Sequence, residues 1–175
     1  MNSTEDPIAQ TGVVIDGALR QAMPVPDLLF GGGVLVLVIL CHAFWMRRIT
    51  NSFLTRMQLL QTHELLWRAE VVFALTVTAL LAVHLTEIFL WTIALVFGGI
   101  VTDWAQSGYF AANCYVALGE PFSLPHAWRM LPPIIAISGI FTFAWTGSVL
   151  VNFVSRYNDL RADILAKRQR HTANR

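Results

Sequence analysis

Charged residues are scarce in this chain. Lysine, arginine, aspartate and glutamate together make up 13% of its 175 residues, about half the share found in a typical soluble domain. The formal net charge is only +1, which argues against a nucleic-acid-binding protein. Apolar residues, in contrast, make up 55% and fall in long blocks rather than at helical or strand spacing. These proportions are typical of an integral membrane protein and exclude an ordinary soluble domain.

Cysteine is also scarce, with only two residues, Cys41 and Cys114. Both fall in apolar segments, so we do not expect a structural disulfide, and two distant cysteines are too few for a zinc site. We interpret them as buried packing residues. The segment 1–27 lacks the basic start of a signal peptide, and we interpret it as a weakly ordered polar tail.

Three apolar blocks are long enough to cross a bilayer as helices. They run from about residue 28 to 46, from 71 to 97 and from 131 to 154, and a crossing requires about 20 residues at a rise of about 1.5 Å each. In the third block, Pro132 and Pro133 fall in the first helical turn, where their missing amide hydrogens do no harm. The sequence therefore predicts an all-α membrane protein with three transmembrane helices.

Basic residues are distributed unevenly among the connecting segments. The linker 47–70 holds four arginines and the tail 156–175 holds six basic residues, whereas 1–27 and 98–129 hold one each. The positive-inside rule then predicts that the linker and the C-terminal tail face the cytoplasm and that the N-terminal tail is periplasmic. The basic tail is also a candidate for contact with anionic lipid.

The linker 47–70 alternates arginines with apolar side chains such as Phe53, Met57 and Leu60. Such a pattern is typical of an amphipathic helix. It leaves two structures open, namely a helix that lies on the membrane surface and a helical extension of the second span. We therefore divide the chain so that residues 28–70 form the first span with its cytoplasmic linker.

The segment between the second and third spans is too apolar for an ordinary loop. Asp103 can cap a short helix over about residues 104–117, which at about 20 Å can enter the membrane but not cross it. Gly119 and Pro121 then prevent the helix from continuing. Non-helical backbone at membrane depth is tolerated only where it is buried in protein or lines a water-filled cavity. We therefore predict a re-entrant pore helix and loop and, because so small a chain cannot enclose a cavity alone, a symmetric oligomer.

A set of residues spread over about residues 42–156 has a distinctive spacing. Its members are His42, His84, Glu87, Trp91, Tyr109, Phe110, Leu124, Pro125, Trp128, Arg129, Gly139, Phe143, Trp145 and Ser148. In these residues the chain resembles a bacterial family of small potassium-channel-like pore proteins. The resemblance implies an extra N-terminal span followed by a pore unit of helix, pore loop and helix at 71–155. It further implies a homotetramer in the bacterial inner membrane, a central cation pathway and no enzymatic activity.

The loop departs from the family at its selectivity filter, which in the family reads roughly threonine-threonine-leucine-glycine-tyrosine-glycine-aspartate. Here the sequence is Tyr115-Val116-Ala117-Leu118-Gly119-Glu120-Pro121. A potassium filter coordinates the ion with rings of backbone carbonyls, and its backbone needs the freedom of glycine. Because a threonine and a glycine are missing, we do not carry potassium selectivity over. The predicted ion pathway consists of Val116, Ala117, Leu118, Gly119 and Glu120.

Glu120 is the predicted cation attractor. Four copies around an axis would concentrate cations and exclude anions. Carboxylate oxygens suit hard divalent ions, so Glu120 is also the candidate metal ligand for calcium, magnesium or manganese. Alternatively, Glu120 caps the pore loop by accepting hydrogen bonds from backbone amides, with its carboxylate off the axis. We expect no resident cofactor, only a permeant cation.

Ionisable side chains also lie inside the spans, with His42 in the first and His84 and Glu87 one turn apart in the second. Such residues are functional candidates by default. They leave three interpretations open: a metal or proton site, haem ligation by the two histidines, and a hydrogen-bonded cluster that docks the first span onto the second. In the last span, Gly139 and Gly147 are candidate gating hinges, or small residues for close helix packing.

Three functions therefore remain open. The sequence favours a passive cation channel, either divalent-permeable or weakly selective, with Leu-Gly-Glu-Pro in place of the potassium signature. The alternatives are a degenerate non-conducting pore that acts as an assembly or sensing partner, and a haem-binding electron-transfer subunit that uses His42 and His84. The expected partners are further copies of the chain and membrane lipid, and no nucleic acid.

Overall fold

A computed structural model of the chain describes residues 25–63 and 66–173, and these ranges contain no β-strand. They form four α-helices and one turn of 3-10 helix. The elements are α1 (Val25–His63), α2 (Leu66–Phe97), α3 (Trp104–Tyr115), the 3-10 turn (His126–Trp128) and α4 (Leu131–Ala173). Helices α1, α2 and α4 are each long and apolar enough to cross a membrane. The predicted all-α class with three candidate spans is thereby confirmed for the described residues.

The start of α1 is fixed to the start of α4 by Asp27. Residues 1–24 of the predicted N-terminal tail lie outside the described residues, whereas Asp27 belongs to the first turn of α1 and is fully buried. Its carboxylate accepts a hydrogen bond of 2.9 Å from the amide of Met130, just ahead of α4. Asp27 is therefore part of the helical bundle rather than of a polar tail.

Helix α2 ends where the sequence predicts, at the pair Gly98-Gly99. Gly99 has a φ of 67°, a left-handed conformation that glycine adopts without a steric clash. The amides of Gly99 and Ile100 each donate a hydrogen bond of 3.0 Å to carbonyl oxygens in the last turn of α2. These two bonds form a Schellman motif, which ends the helix at Phe97.

Helix α3 begins as predicted, because the side chain of Asp103 accepts a hydrogen bond of 2.8 Å from the amide of Gln106 and so caps the helix. Its buried residues recur every three or four positions. They are Ser107, Phe110, Ala111, Cys114 and Tyr115. This face packs between α2 and α4, so α3 is a short amphipathic helix held in a groove of the bundle.

The linker is divided between two helices: residues 66–70 extend the second span as predicted, whereas most of it extends the first span. Helix α1 continues unbroken to His63, so residues 47–63 extend the first span, and α2 begins only after two residues that lie outside the described ranges. Phe53 is buried and packs on Phe153 of α4, with ring centres 4.3 Å apart. The amphipathic pattern therefore reflects helix–helix packing, which has the same period as a helix on a membrane surface.

Helix α4 also extends beyond the predicted span, which was expected to end near residue 154. Leu160 and Ile164 lie buried in a cluster with side chains of the α1 extension, so the first part of the basic tail is a packed helix. The 43 residues of α4 correspond to about 64 Å, roughly twice the hydrocarbon thickness of a bilayer. Helix α4 is therefore longer than one membrane crossing requires, as is the 39-residue α1.

Candidate functional site

Helix α3 runs back along α2 in the opposite direction. In its first turn, Ser107 donates a hydrogen bond of 3.1 Å from its hydroxyl to the carbonyl oxygen of Thr92. At its end, Tyr115 donates a hydrogen bond from its hydroxyl to the carboxylate of Glu87. Glu87 precedes the end of α2 at Phe97 by about 15 Å along the helix axis. The end of α3 therefore lies beside the middle of α2, near Glu87, rather than beside the end of α2 at Phe97.

A backbone contact places the end of α3 at a similar level on α4. A Cβ atom on Gly139 would collide with the carbonyl oxygen of Tyr115, so this approach is open only to glycine. Gly139 lies about 12 Å into α4 from its start at Leu131. Gly147, the other candidate hinge, has no neighbouring atom within 4 Å of the position a Cβ would take. Gly139 is thus a packing residue for α3, and gating at either glycine stays a prediction.

Helix α3 ends two residues earlier than predicted, because a Schellman motif forms there without glycine. The amides of Ala117 and Leu118 donate hydrogen bonds of 3.0 and 2.9 Å to carbonyl oxygens in the last turn of α3. Ala117 is left-handed, with a φ of 59°, which costs a residue other than glycine about 1–2 kcal/mol. Gly119 follows with a φ of 105°. The chain thus leaves the helix through two unusual backbone conformations.

The five predicted pathway residues form a continuous exposed stretch, residues 116–120, which we call the pathway strip. Within the described part of the chain, no N–H or O–H group donates to the carbonyl oxygens of Val116, Ala117 or Leu118. The carbonyl of Gly119 has only a long contact of 3.9 Å with the thiol of Cys114. The strip therefore presents carbonyl acceptors at the surface of the single chain.

Glu120, at the end of the pathway strip, is exposed. No hydrogen bond or ion pair from the described residues holds its carboxylate. The capping alternative requires a bond from a backbone amide and has none among these residues. The carboxylate of Glu120 therefore lies at the surface of the single chain.

The predicted trio of ionisable residues does come together, in what we call the buried polar cluster: His42, His84, Glu87, Tyr115 and Thr142. His42 Nδ1 lies 2.6 Å from Glu87 Oε1, and Tyr115 donates to the other oxygen of the same carboxylate. The hydroxyl of Tyr115 also lies 2.9 Å from His84 Nδ1 and 2.7 Å from Thr142 Oγ1. The cluster therefore links all four helices at the point where α3 ends.

Sequence reasoning missed Tyr115 and Thr142 as members of this cluster. A buried tyrosine hydroxyl usually has a hydrogen-bond partner, and Tyr115 ends a helix whose buried face is otherwise almost entirely apolar. That was the available signal. The partner, Glu87, lies 28 positions away in sequence. Which residue bonds to Tyr115 therefore depends on how α3 packs against α2.

Aromatic side chains enclose the two imidazoles of the cluster. Phe143 stacks on His84 with ring centres 4.3 Å apart, and Trp145 lies 5.2 Å from His42. Among the described residues, the Nε2 atoms of both histidines are buried without a hydrogen-bond partner. The haem alternative stays a prediction from the sequence.

Trp91 forms a second buried link between α2 and α4. Its indole N–H donates a hydrogen bond of 2.9 Å to the hydroxyl oxygen of Ser138, and Ser138 donates one of 2.6 Å to the carbonyl oxygen of Ile135. Trp91 is fully buried, and its only polar group is satisfied. This residue of the family resemblance therefore positions the two helices that hold α3.

No protein-family model, curated protein or solved structure matches this chain. The potassium-channel-like resemblance of residues 42–156 therefore stays a prediction from the sequence.

Proposed function

We propose that this protein is a passive cation channel in which the pathway strips of four chains line a central pore. The position of α3 supports this proposal most directly. The end of α3 lies about 12–15 Å along both α2 and α4 and is followed by non-helical backbone. If α2 and α4 cross the membrane, α3 and the pathway strip lie inside it as a re-entrant pore helix and loop.

The chain returns from this depth without forming a helix. Residues 116–125 connect the end of α3 to the 3-10 turn, where Trp128 packs edge-on against Phe30 near the start of α1, with ring centres 5.5 Å apart. In hydrocarbon, an unsatisfied backbone group costs several kcal/mol. The exposed strip therefore needs water or further protein around it, which a single chain does not supply.

Copies of the chain around one axis would meet this need. A cyclic oligomer turns the same surface of every subunit toward the axis and can enclose a wet pathway. Helix α4 also carries a stripe of exposed residues at helical spacing that a ring of subunits can cover or place along the pore. These residues are Ile137, Phe141, Ala144, Ser148 and Val151. The number of four subunits comes from the family resemblance.

The pathway strip has groups suited to cation coordination. Its carbonyl oxygens at Val116, Ala117 and Leu118 have no internal donor within the described chain, and carbonyl rings replace ion hydration in selective pores. Glycine occurs only once in the strip, so fewer such rings are expected than in a potassium filter. We therefore propose weak discrimination among cations, including divalent ones, rather than potassium selectivity.

Glu120 would supply the selectivity for cations over anions. Four exposed carboxylates near one axis lower the local potential and raise the concentration of cations. The arginine distribution orients the basic end of α4 toward the cytoplasm, so Glu120 would meet ions from the periplasmic side of a bacterial inner membrane.

Liposome flux measurements test this function. We expect purified protein in liposomes to pass potassium, sodium and divalent cations down their gradients while excluding chloride. Native mass spectrometry of the same preparation should give a tetramer, and its visible spectrum should lack a haem Soret band. A correctly inserted tetramer without cation flux would refute the channel and favour the non-conducting assembly or sensing partner.

A further inference from the structure

The hydrogen bonds of the buried polar cluster determine where its protons lie. The carboxylate of Glu87 only accepts, so His42 Nδ1 and the hydroxyl of Tyr115 each donate a hydrogen bond to it. Because the single proton of Tyr115 is used in this way, His84 Nδ1 donates to the phenol oxygen at 2.9 Å. Both imidazoles are therefore held through Nδ1, and neither Nε2 atom takes part in these bonds.

The Nε2 atoms of His42 and His84 have no partner within the described part of the bundle. Both Nε2 atoms are buried and accept no hydrogen bond from the described residues; His42 is fully buried and His84 is 4% exposed. A buried polar atom left without a hydrogen bond costs about 1–3 kcal/mol. Hydrogen bonds therefore hold the two imidazoles only at Nδ1, on the side that faces Glu87 and Tyr115.

The cluster also has the donor set and the size of a transition-metal site. One ligand atom from each of His42, His84 and Glu87 lies within 4.8 Å of the others, and the two imidazole centres are 5.8 Å apart. Two imidazoles that share a metal at about 2 Å per nitrogen have centres roughly 5–6 Å apart. Tyr115, in contact with both His84 and Glu87, offers a fourth donor.

We propose that the buried polar cluster binds one zinc ion, or a similar divalent transition metal, through Nδ1 of His42, Nδ1 of His84 and a carboxylate oxygen of Glu87, atoms that already lie close together. Imidazole ligands favour zinc over calcium or magnesium, which prefer oxygen alone. The ion replaces protons now shared within the cluster, so binding releases protons. The aromatic shell of Phe143 and Trp145 keeps water away and holds the imidazoles in place.

A metal at this position ties α1 to α2 and, through Tyr115, to the end of α3. Tyr115 directly precedes the pathway strip, so metal occupancy sets how firmly the start of the strip is held. This control of conduction rests on the proposed channel function, whereas metal binding itself does not.

The metal content of the purified tetramer or monomer tests the site. After incubation with zinc and removal of free ion, we expect inductively coupled plasma mass spectrometry to find about one zinc per chain. The double variant His42→Gln/His84→Gln should lose it. The control His126→Gln, which changes an exposed histidine bonded to Arg129, should retain it. A wild-type protein without bound zinc, or a double variant with full content, would overturn the proposal.

Spectroscopy of the wild-type protein gives a second test that does not depend on the folding of any variant. Cobalt(II) in the site should produce the visible bands of four-coordinate cobalt, and zinc should displace it. X-ray absorption of the zinc form should show two imidazoles around the metal. A coordination shell without imidazole would refute the site. Neither measurement involves ion flux, so failure of the metal site and failure of the channel are distinguishable.

Discussion

The carbonyl oxygen of Tyr115 lies directly against the backbone of Gly139, with no side chain between them. The same tyrosine donates a hydrogen bond through its side chain to Glu87. One residue is therefore held by α4 through its main chain and by α2 through its hydroxyl. Val116, the first residue of the pathway strip, follows a fixed point, although the strip itself is exposed in the single chain.

Substitution of Gly139 tests this backbone contact. In Gly139→Ala the new methyl group meets the carbonyl of Tyr115, so α3 or α4 must shift, at a cost of about 1–3 kcal/mol. The matched control Gly147→Ala places its methyl group in open space and should be neutral or stabilising by up to about 1 kcal/mol. Thermal unfolding in detergent measures both, and equal melting temperatures for the two variants would contradict the contact.

The same pair separates packing from gating. If Gly147 serves as a gating hinge, Gly147→Ala should change flux in liposomes while its melting temperature stays at the wild-type value. Unchanged flux in this variant would remove the hinge hypothesis at that position.

Neutralising Glu120 tests the carboxylate ring. In Glu120→Gln we expect the ratio of cation to chloride permeability to fall several-fold at low ionic strength, where the screening length is about 30 Å, and less at molar salt, where it is about 3 Å. Glu70→Gln, at an exposed position early in α2, is the charge-matched control and should behave as wild type. An unchanged permeability ratio in Glu120→Gln would exclude the ring.

Substitutions at Ala117 test the left-handed conformation. Ala117→Gly removes the strain of its φ of 59°, so we expect flux to be retained and stability to change by no more than about 1 kcal/mol, since glycine also loses more entropy on folding. Ala117→Val places a β-branched side chain where it is least tolerated and should abolish or strongly reduce flux. Full flux in the valine variant would show that this backbone conformation is not needed for conduction.

Asp27 provides a test of how the starts of α1 and α4 are joined. Asp27→Ala removes the acceptor of the Met130 amide and should destabilise the protein by about 0.5–2 kcal/mol, as does the loss of a helix cap. Asp27→Asn keeps an oxygen acceptor and should lie close to wild type in thermal unfolding. If the asparagine variant were as unstable as the alanine variant, the charge rather than the hydrogen bond would be the stabilising feature.

Helix ends that depend on local chemistry could be predicted from the sequence. Asp103 caps α3 and Gly98-Gly99 ends α2, because a capping side chain and a left-handed glycine act within one turn of their own helix. The end of α3 could not be predicted in this way. Ala117 favours a continuing helix by propensity, yet it is left-handed, and the contacts next to it at Tyr115 come from two distant helices.

The buried polar cluster was predictable only in part. His84 and Glu87 share a helix face through their spacing. His42 was a candidate functional residue because it is an ionisable residue inside the first predicted span. Thr142 and Tyr115 belong to the cluster because segments distant in sequence pack together. Local sequence patterns do not predict such packing. The linker shows the same limit, since one amphipathic period fits both a membrane surface and a neighbouring helix.

The packed extensions of α1 and α4 have a mechanical consequence. Phe53, beyond the predicted first span, packs on Phe153 at the end of the third, and α4 continues without a break from Leu131 to Ala173. A continuous helix of about 64 Å acts as a stiff rod and does not absorb a twist at the membrane boundary. A torque applied to its basic end is therefore transmitted along the rod to Gly139 and to the tyrosine carbonyl that rests on it.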